Sequence, residues 1–527
     1  MIILNKIAIL RRKSAMRYQP RWLLPLLLLS LVLAACAPIA QAPAAAPATG
    51  AKQLIISETF WPDAGYAIET DDAFALSAWG ATETLLKVDF DGQIKPLLAE
   101  SWERVDDLRW SFKLREGVTF HNGEALTAEA VVTALNYLLA AETPPRGLSP
   151  ENVASIEASD ERTVVITTVE PDALTPNRLT GPSFAILAPA AYASTPPAVF
   201  GTGTGPFVLA EEVPEQSVTL RKNEAYWGEA PKLDEVVVLA APDGEVRATM
   251  LRTGEVHIAE HLPIPQLPLL EAEADINVVR TPQPRTTTLY LNNRQGPLAD
   301  LLVRRAVLHA IDKRALVAAV LEGVGAPAAG PFAPNEVWVN PDLPVDTFDP
   351  EAAKALLAEA GIGEGALTLN IWTYPARSNL PPTAVAIQQM LTDVGIGAEV
   401  RIAPYNVLEP TVREGNYDIF IVSRGHLLDN YDPEGFLQAD IGCDGSFNLS
   451  GYCNEAIDAK LAEARTLIDA EARYAIYREI QQTIFDDVAC IWLDYTEQLY
   501  GVRAGVLNYQ PHPLEYYLVT PALDLAR

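Results

Sequence analysis

The sequence offers few groups able to do covalent or metal chemistry, and one of them stands out by its spacing. His257-Ile258-Ala259-Glu260-His261 fits the H-x-x-E-H order of some zinc proteases. Two imidazoles at that spacing reach one metal only when a continuous helix sets them on a single face. Gly254 lies just before the stretch, and Pro263 and Pro265 lie just after it, so that helix is not expected. An exported zinc hydrolase is therefore the remote alternative. His121, His309, His426 and His512 are scattered, and no G-x-S-x-G elbow occurs. Gly203-Thr204-Gly205-Pro206 imitates a phosphate loop. It lacks the Lys-Ser/Thr of a P-loop and the third glycine of a dinucleotide loop, so a structural turn is expected. The reading is of a protein that is not an enzyme, with no cofactor and no bound metal.

Charge and cysteine usage narrow the compartment. Lys+Arg is 39 against 68 Asp+Glu, a formal charge of −29 over 527 residues. Six of those cations (Lys6, Arg11, Arg12, Lys13, Arg17, Arg21) precede residue 36, where no acid occurs, which leaves 33 against 68, or −35, for the rest. A surface so acidic repels nucleic acid, and none is expected as a partner. Residues 22–33, WLLPLLLLSLVL, are too short an apolar run to span a ~30 Å hydrocarbon core. Cations before it and small residues after it give the order of a secretory signal. Leu33-Ala34-Ala35-Cys36 resembles a bacterial lipobox, which implies lipidation of Cys36. Residues 36–52 are Ala/Pro-rich, almost uncharged, and read as a tether. The expected product is exported and lipid-anchored, on the outer face of the cytoplasmic membrane or in the periplasm. Cys443 and Cys453 bracket the polar loop DGSFNLSGY, and in an exported body a disulfide is expected there. Cys490 lies in the apolar run Val488–Trp492 and reads as a buried thiol.

The elements that must position any site alternate in type. β-Branched runs at 54–56, 163–169, 218–220 and 236–239 read as strands. Residues 127–139 carry Val131, Leu135 and Leu138 at helical spacing, with Thr127 as N-cap. Helices are expected at 243–252, 300–311 and 312–321, the last capped by Asp312. Asp349-Pro350-Glu351 opens another, because Asp caps, Pro suits the first turn and an acid suits the helix N-terminus. Strands at 366–372, 398–402 and 417–422 alternate with a helix at 382–394, the pattern of an α/β sheet. Two amphipathic helices follow at 455–467 and 470–485.

Residues 96–139, PLLAESWERVDDLRWSFKLREGVTFHNGEALTAEAVVTALNYLL, resemble the characteristic segment of the bacterial extracellular solute-binding proteins of family 5, the peptide- and nickel-type receptors of ABC importers. The resemblance continues in order through GTGPF at 203–207, NEAYWG at 223–228, LDEVVV at 233–238, LYLNN at 289–293, FDPEAAKALLAEAG at 348–361 and NYDIFIV at 416–422. It implies an α/β, two-lobed periplasmic-binding-protein fold with a hinge, the first lobe discontinuous and carrying an inserted subdomain. The implied division is leader 1–35, tether 36–52, first-lobe core 53–75 with 200–285 and 495–527, insertion 76–199, and second lobe 286–494. The chain is expected to cross between lobes near 285–293 and 490–498, and to close on its ligand as a monomer.

The resemblance also implies a ligand and its contacts. A buried peptide needs a counter-charge at each end, because an unpaired buried charge is costly. Leu428-Asp429-Asn430-Tyr431-Asp432-Pro433 resembles the segment of dipeptide receptors whose Asp holds the ligand's amino group. Asp429 is the expected contact and Asp432 the alternative. Trp372-Thr373-Tyr374-Pro375-Ala376-Arg377 resembles the segment that places an Arg on the ligand's carboxylate, a role assigned to Arg377. Trp79, Trp372, Tyr374, Tyr431 and His426 are expected to line the cleft. The implied function is capture of short peptides and delivery to the permease of an ABC transporter with its ATPase. Nickel chelates and oligosaccharides are the alternatives, and a nickel receptor would favour His426.

Overall fold

The computed structural model describes residues 51–145, 147–427 and 431–526; the leader, Cys36, most of the tether and Asp429 lie outside the described residues. Among those described, no helix is long and apolar enough to cross a membrane. One eleven-stranded sheet runs through the molecule. In its first half Gln53–Glu58 lies parallel to Glu235–Ala240 and to the short strand Ile258–Ala259. Ser217–Lys222 and Phe207–Val213 continue it antiparallel. Period-two alternation explains the assembly: Leu54, Ile56, Val218, Leu220, Val236, Val238 and Ile258 all enter one core.

The second half is built from Leu367–Thr373, Ile396–Ile402 and Ile419–Gly425, with parallel pairing. Ile419–Gly425 is apolar at consecutive positions because both of its faces are covered. Ile419 and Ile421 enter one cluster, and Phe420 and Val422 enter another. Helix Leu380–Asp393 covers the sheet, starting two residues before the expected 382 with Pro in its first turn. Asp300, Asp312, Asp349 and Asp469 all cap helices through their side chains.

Two antiparallel strands, Ile276–Leu291 and Cys490–Arg503, join the halves. The sequence suggested only crossings near 285–293 and 490–498; the structure makes each crossing part of a long strand. Alternation is a poor guide there, because Thr286, Thr287 and Thr288 are all buried. The ladder is interrupted between Pro282 and Thr286. Pro282 and Pro284 have no N–H to give it, and the local bonds run sideways: the Thr496 hydroxyl donates to the Arg285 carbonyl (3.1 Å), and the His426 N–H donates to that of Pro284 (3.0 Å).

A separate four-stranded antiparallel sheet comprises Ala99–Arg104, Arg109–Leu114, Thr163–Thr168 and Val153–Asp160. Helix Ala128–Leu139 packs on it through Val131, Leu135 and Leu138, and the Thr127 hydroxyl accepts from the Ala130 N–H. This unit and the loop that follows it reach the second half of the molecule. Asn177 Nδ2 donates to the Tyr431 carbonyl at 2.8 Å, and the Ala173 N–H donates to that of Arg465 at 2.9 Å. Between them Arg178 lies 3.0 Å from Asp172 and 3.4 Å from Glu434, which also takes Arg465 Nε at 2.9 Å. Asp172, Arg178 and Glu434 are buried, so each charge depends on its partners.

Cys443 and Cys453 form a disulfide, and Cys490 is a buried thiol. Across a sequence separation of 10, loop closure in the unfolded chain gives the cross-link about 3 kcal/mol. Replacing both cysteines by serine should lower urea stability by about that amount; no change would mean that the unfolded loop is already compact. Arg178→Ala strips Asp172 of its cation and leaves Glu434 with Arg465 alone. It should cost about 3–5 kcal/mol and increase the radius of gyration in small-angle scattering. An unchanged profile at unchanged stability would remove the network from any role in holding the halves together.

Candidate functional site

In open α/β sheets the usable crevice lies beyond the carboxyl ends of parallel strands. Here both halves of the sheet aim such ends at one place. Beyond Glu58 come Thr59 and Phe60; beyond Ala259 come Glu260 and His261; beyond Thr373 come Tyr374 and Arg377. The two sets meet: the Arg377 guanidinium lies over the Phe60 ring at 5.6 Å, and Phe60 stands edge-on to His261 at 5.2 Å. Phe60 is 56% exposed.

The interrupted ladder adds the rest. Arg285 donates to the Ser423 carbonyl at 3.2 Å, and Tyr374 Oη accepts from the Ser423 N–H at 3.2 Å. Glu515 comes from the C-terminal segment, with its carboxylate 3.4 Å from His261 Nε2. Gln283 and Tyr500 also hydrogen-bond Glu515, and Gln498 bonds His261. His261 and Glu515 both adopt left-handed backbone (φ 47° and 60°), a strained state for such residues that persists where surrounding structure enforces it.

Glu58 and Glu260 are buried, and His261, Arg285 and Glu515 are partly buried. Burial, reinforced by Arg377, pulls Arg285 down to about 10. Burial raises Glu515, opposed by Arg285 and Arg377. Burial, then the cations Arg377, Arg247 and Arg285, holds His261 well below the usual imidazole range, so it is neutral near pH 7. Burial pushes Glu58 up to about 8 despite a 2.6 Å bond from the Trp79 indole N–H. Burial, then Glu58 and Glu515, raises Glu260. Arg285 and Arg377 thus act on His261 and Glu515, whereas Glu58 and Glu260 act on each other, with Arg247 beside Glu260 bonding its carbonyl.

Of the residues singled out in the sequence, Arg377 and Tyr374 come to this site. Trp79 does not line it: the ring is fully buried in the first core and touches the site only through Glu58. Trp372 is buried under Arg401, whose guanidinium lies 4.6 Å over its ring. His426 is 4% exposed, bonded through Nε2 to Glu336 at 2.7 Å and edged by Phe332 and Phe436, which leaves its Nδ1 buried and without a partner among the described residues. Tyr431 packs on Trp338 and borders an interlobe cavity of about 490 Å³ with Gln283. Asp432 is a structural residue, buried as the cap of helix Pro433–Asp440 and bonded by Tyr477 and Arg473. Asp429 lies outside the described residues.

Neither apparent motif carries chemistry. His257 and His261 flank the strand Ile258–Ala259, and an extended chain separates side chains that a helix would converge. Gly203 and Gly205 serve a close approach, since a Cβ there would fall 2.1 Å from the Ala81 carbonyl oxygen and 2.2 Å from that of Gly80. The residues that sequence reasoning passed over as site candidates are Glu58, Arg285, Gln498 and Glu515, while Glu260 and His261 were singled out only as members of the zinc-protease pattern. Glu58 did carry a signal, as an acid closing the buried run Leu54–Ser57; Glu515 had none.

Comparison with known proteins agrees with this geometry. The family model for "Bacterial extracellular solute-binding proteins, family 5 Middle" matches residues 93–448. A probable di/tripeptide-binding protein of Pseudomonas aeruginosa is 30% identical over 463 residues, 81% of this chain and 87% of that one. The periplasmic binding protein DppA from Helicobacter pylori, solved with the peptide STSA, is 25% identical with a TM-score of 0.76, covering 90% of this chain and 98% of that one. A nickel ABC transporter structure from Bacillus halodurans is 26% identical with a TM-score of 0.76, covering 90% and 100%. With matched sequence over most of the folded chain and two lobes meeting at a polar cleft, the protein belongs to the bacterial extracellular solute-binding proteins of family 5.

Proposed function

We propose that this protein captures short peptides outside the cytoplasm and presents them to the permease of an ABC importer. The observation that carries the reading is the separation of charge in the cleft. Arg285 and Arg377 suit a carboxylate, and the acids beyond Glu515 suit a cation, so the site complements a zwitterion. Relatives that bind di- and tripeptides, and a neighbour solved with a peptide, support the same ligand class. In this reading Arg377 holds the ligand's carboxylate with Arg285 beside it, and Asp429 meets the amino group. A nickel chelate is less well served, because His426 is committed to Glu336. Closure divides the chain at the broken ladder near residues 282–286, with residues 76–199 as an insertion in the first lobe. Cys36 carries a lipid, residues 37–52 are the tether, and the receptor works as a monomer on the membrane surface.

Calorimetric titration tests the ligand contacts. A charge-assisted hydrogen bond contributes roughly 1.5–3 kcal/mol, so Arg377→Ala should weaken a free dipeptide on the order of tenfold to a hundredfold. Amidating the peptide's C-terminus should weaken the wild type similarly and add little to Arg377→Ala. Asp429→Asn and N-acetylation form the matching cycle. Full additivity would move the termini elsewhere, and no binding of any free peptide would remove the peptide reading. For the anchor, Cys36→Ser should move the processed protein from the membrane fraction to the soluble one. Retention on membranes after signal cleavage would exclude a lipid on Cys36.

A further inference from the structure

Glu58 and Glu260 are neighbours by construction. The strands Gln53–Glu58 and Ile258–Ala259 run parallel, with Ile56 opposite Ile258 and Ser57 opposite Ala259. The next residues on those strands are Glu58 and Glu260. Ile56 and Ile258 both enter the first core, so the period of two sends Glu58 and Glu260 to that same face at the carboxyl end of the sheet. Both are more than nine-tenths buried.

Their hydrogen bonding is incomplete. Glu58 receives one bond, from Trp79. The Glu260 carboxylate makes no hydrogen bond or ion pair to any described residue. Arg247, the cation that acts on it, spends its N–H groups on the carbonyls of Ala241, Glu260 and His261. One buried orphan faces the same region: the Nε2 of Gln498, 5% exposed, has no acceptor among the described residues. Its strand position puts it on the same face as Tyr500, which bonds Glu515. Buried polar groups are almost always satisfied, so the unpartnered Gln498 amide, beside two carboxyls that together accept one bond from a described residue, marks where a polar ligand group fits.

We infer that Glu58 and Glu260 form a subsite for a cationic group of the ligand, an ammonium or guanidinium, beside the rings of Tyr500 and Tyr509. The inference rests on the peptide reading and specifies what such a peptide carries. Tyr500 and Tyr509 lie 5.9 Å apart, and aromatic faces favour an entering cation. The groups facing the pair are Glu515, Arg247, Trp79, Tyr509 and Tyr500. Without a ligand, two adjacent buried carboxyls retain a proton near pH 7, as the upward displacement of both groups indicates. An arriving cation favours the doubly ionised pair, and the proton leaves to buffer.

Proton release is therefore the readout. Titration of Ala-Ala, N-acetyl-Ala-Ala, Lys-Ala and norleucyl-Ala in buffers of different ionisation enthalpy at pH 7 gives the number of protons released. A peptide whose cation enters should release about one proton, and Glu58→Gln and Glu260→Gln should abolish that release while weakening binding on the order of tenfold. Release with Ala-Ala that disappears on N-acetylation identifies the terminal ammonium as the occupant. Release with Lys-Ala but not with norleucyl-Ala identifies a basic side chain. If every peptide binds without releasing a proton, and the two variants bind as the wild type does, the subsite is overturned and the peptide reading stands. If no peptide binds, the peptide reading falls and 1,5-diaminopentane takes over the proton count; no binding or no release with it overturns the subsite as well.

Discussion

The organisation of the molecule depends on one interruption in a hydrogen-bond ladder. Ile276–Leu291 and Cys490–Arg503 pair along almost their whole length, which makes the sheet continuous from one half to the other. Pro282 and Pro284 remove two donors in the middle, and Gln283 and Arg285 have no ladder partner there on Cys490–Arg503, while Arg285 still pairs with Gly425 on its other side. A continuous ladder would leave no reason for the halves to rotate about this point and would direct these side chains by strict alternation. The break sets polar groups at the base of the cleft.

Around that break, burial sets the electrostatic character of the site. Arg285 and Glu515 belong to distant parts of the chain and are both partly buried, which weakens the charged form of each. Opposite charges moderate the cost at the arginine end. At the Glu58–Glu260 end no cation among the described residues bonds the carboxylates, since Arg247 spends its N–H groups on carbonyls, and burial weakens their acidity. The resulting gradient of charge over a short distance is suited to a ligand that is itself dipolar, and it gives the cleft an orientation for that ligand before any side-chain pocket acts.

The contacts between the halves are of a different kind. Asp172, Arg178, Glu434 and Arg465 alternate in sign and hold the inserted sheet's side of the molecule against helix Pro433–Asp440. Such a network adds less to net stability than its distances suggest, because desolvation offsets much of the attraction. It does specify one arrangement of the halves, since separation would leave Asp172 with Arg178 but take Glu434 away from it.

Local information in the sequence determined the elements and the class of fold. Thr127, Asp312 and Asp349 cap helices because a side-chain oxygen next to a first turn needs only that turn. The apolar run Ile419–Val422 is a buried strand because both of its faces had to be covered. Family motifs spread over residues 96–422 supplied the two-lobed architecture, and with it Arg377. Tertiary structure decided the rest. Trp79 and His426 were legible as residue types able to line a cleft, yet packing committed one to the core and the other to Glu336. Glu58, Glu260, Arg285 and Glu515 come from segments as far apart as the two ends of the folded chain, and nothing local marks them as partners. Their role follows from strand register, from a ladder broken by two prolines and from exclusion of water, and those are properties of the assembled sheet and not of any window of sequence.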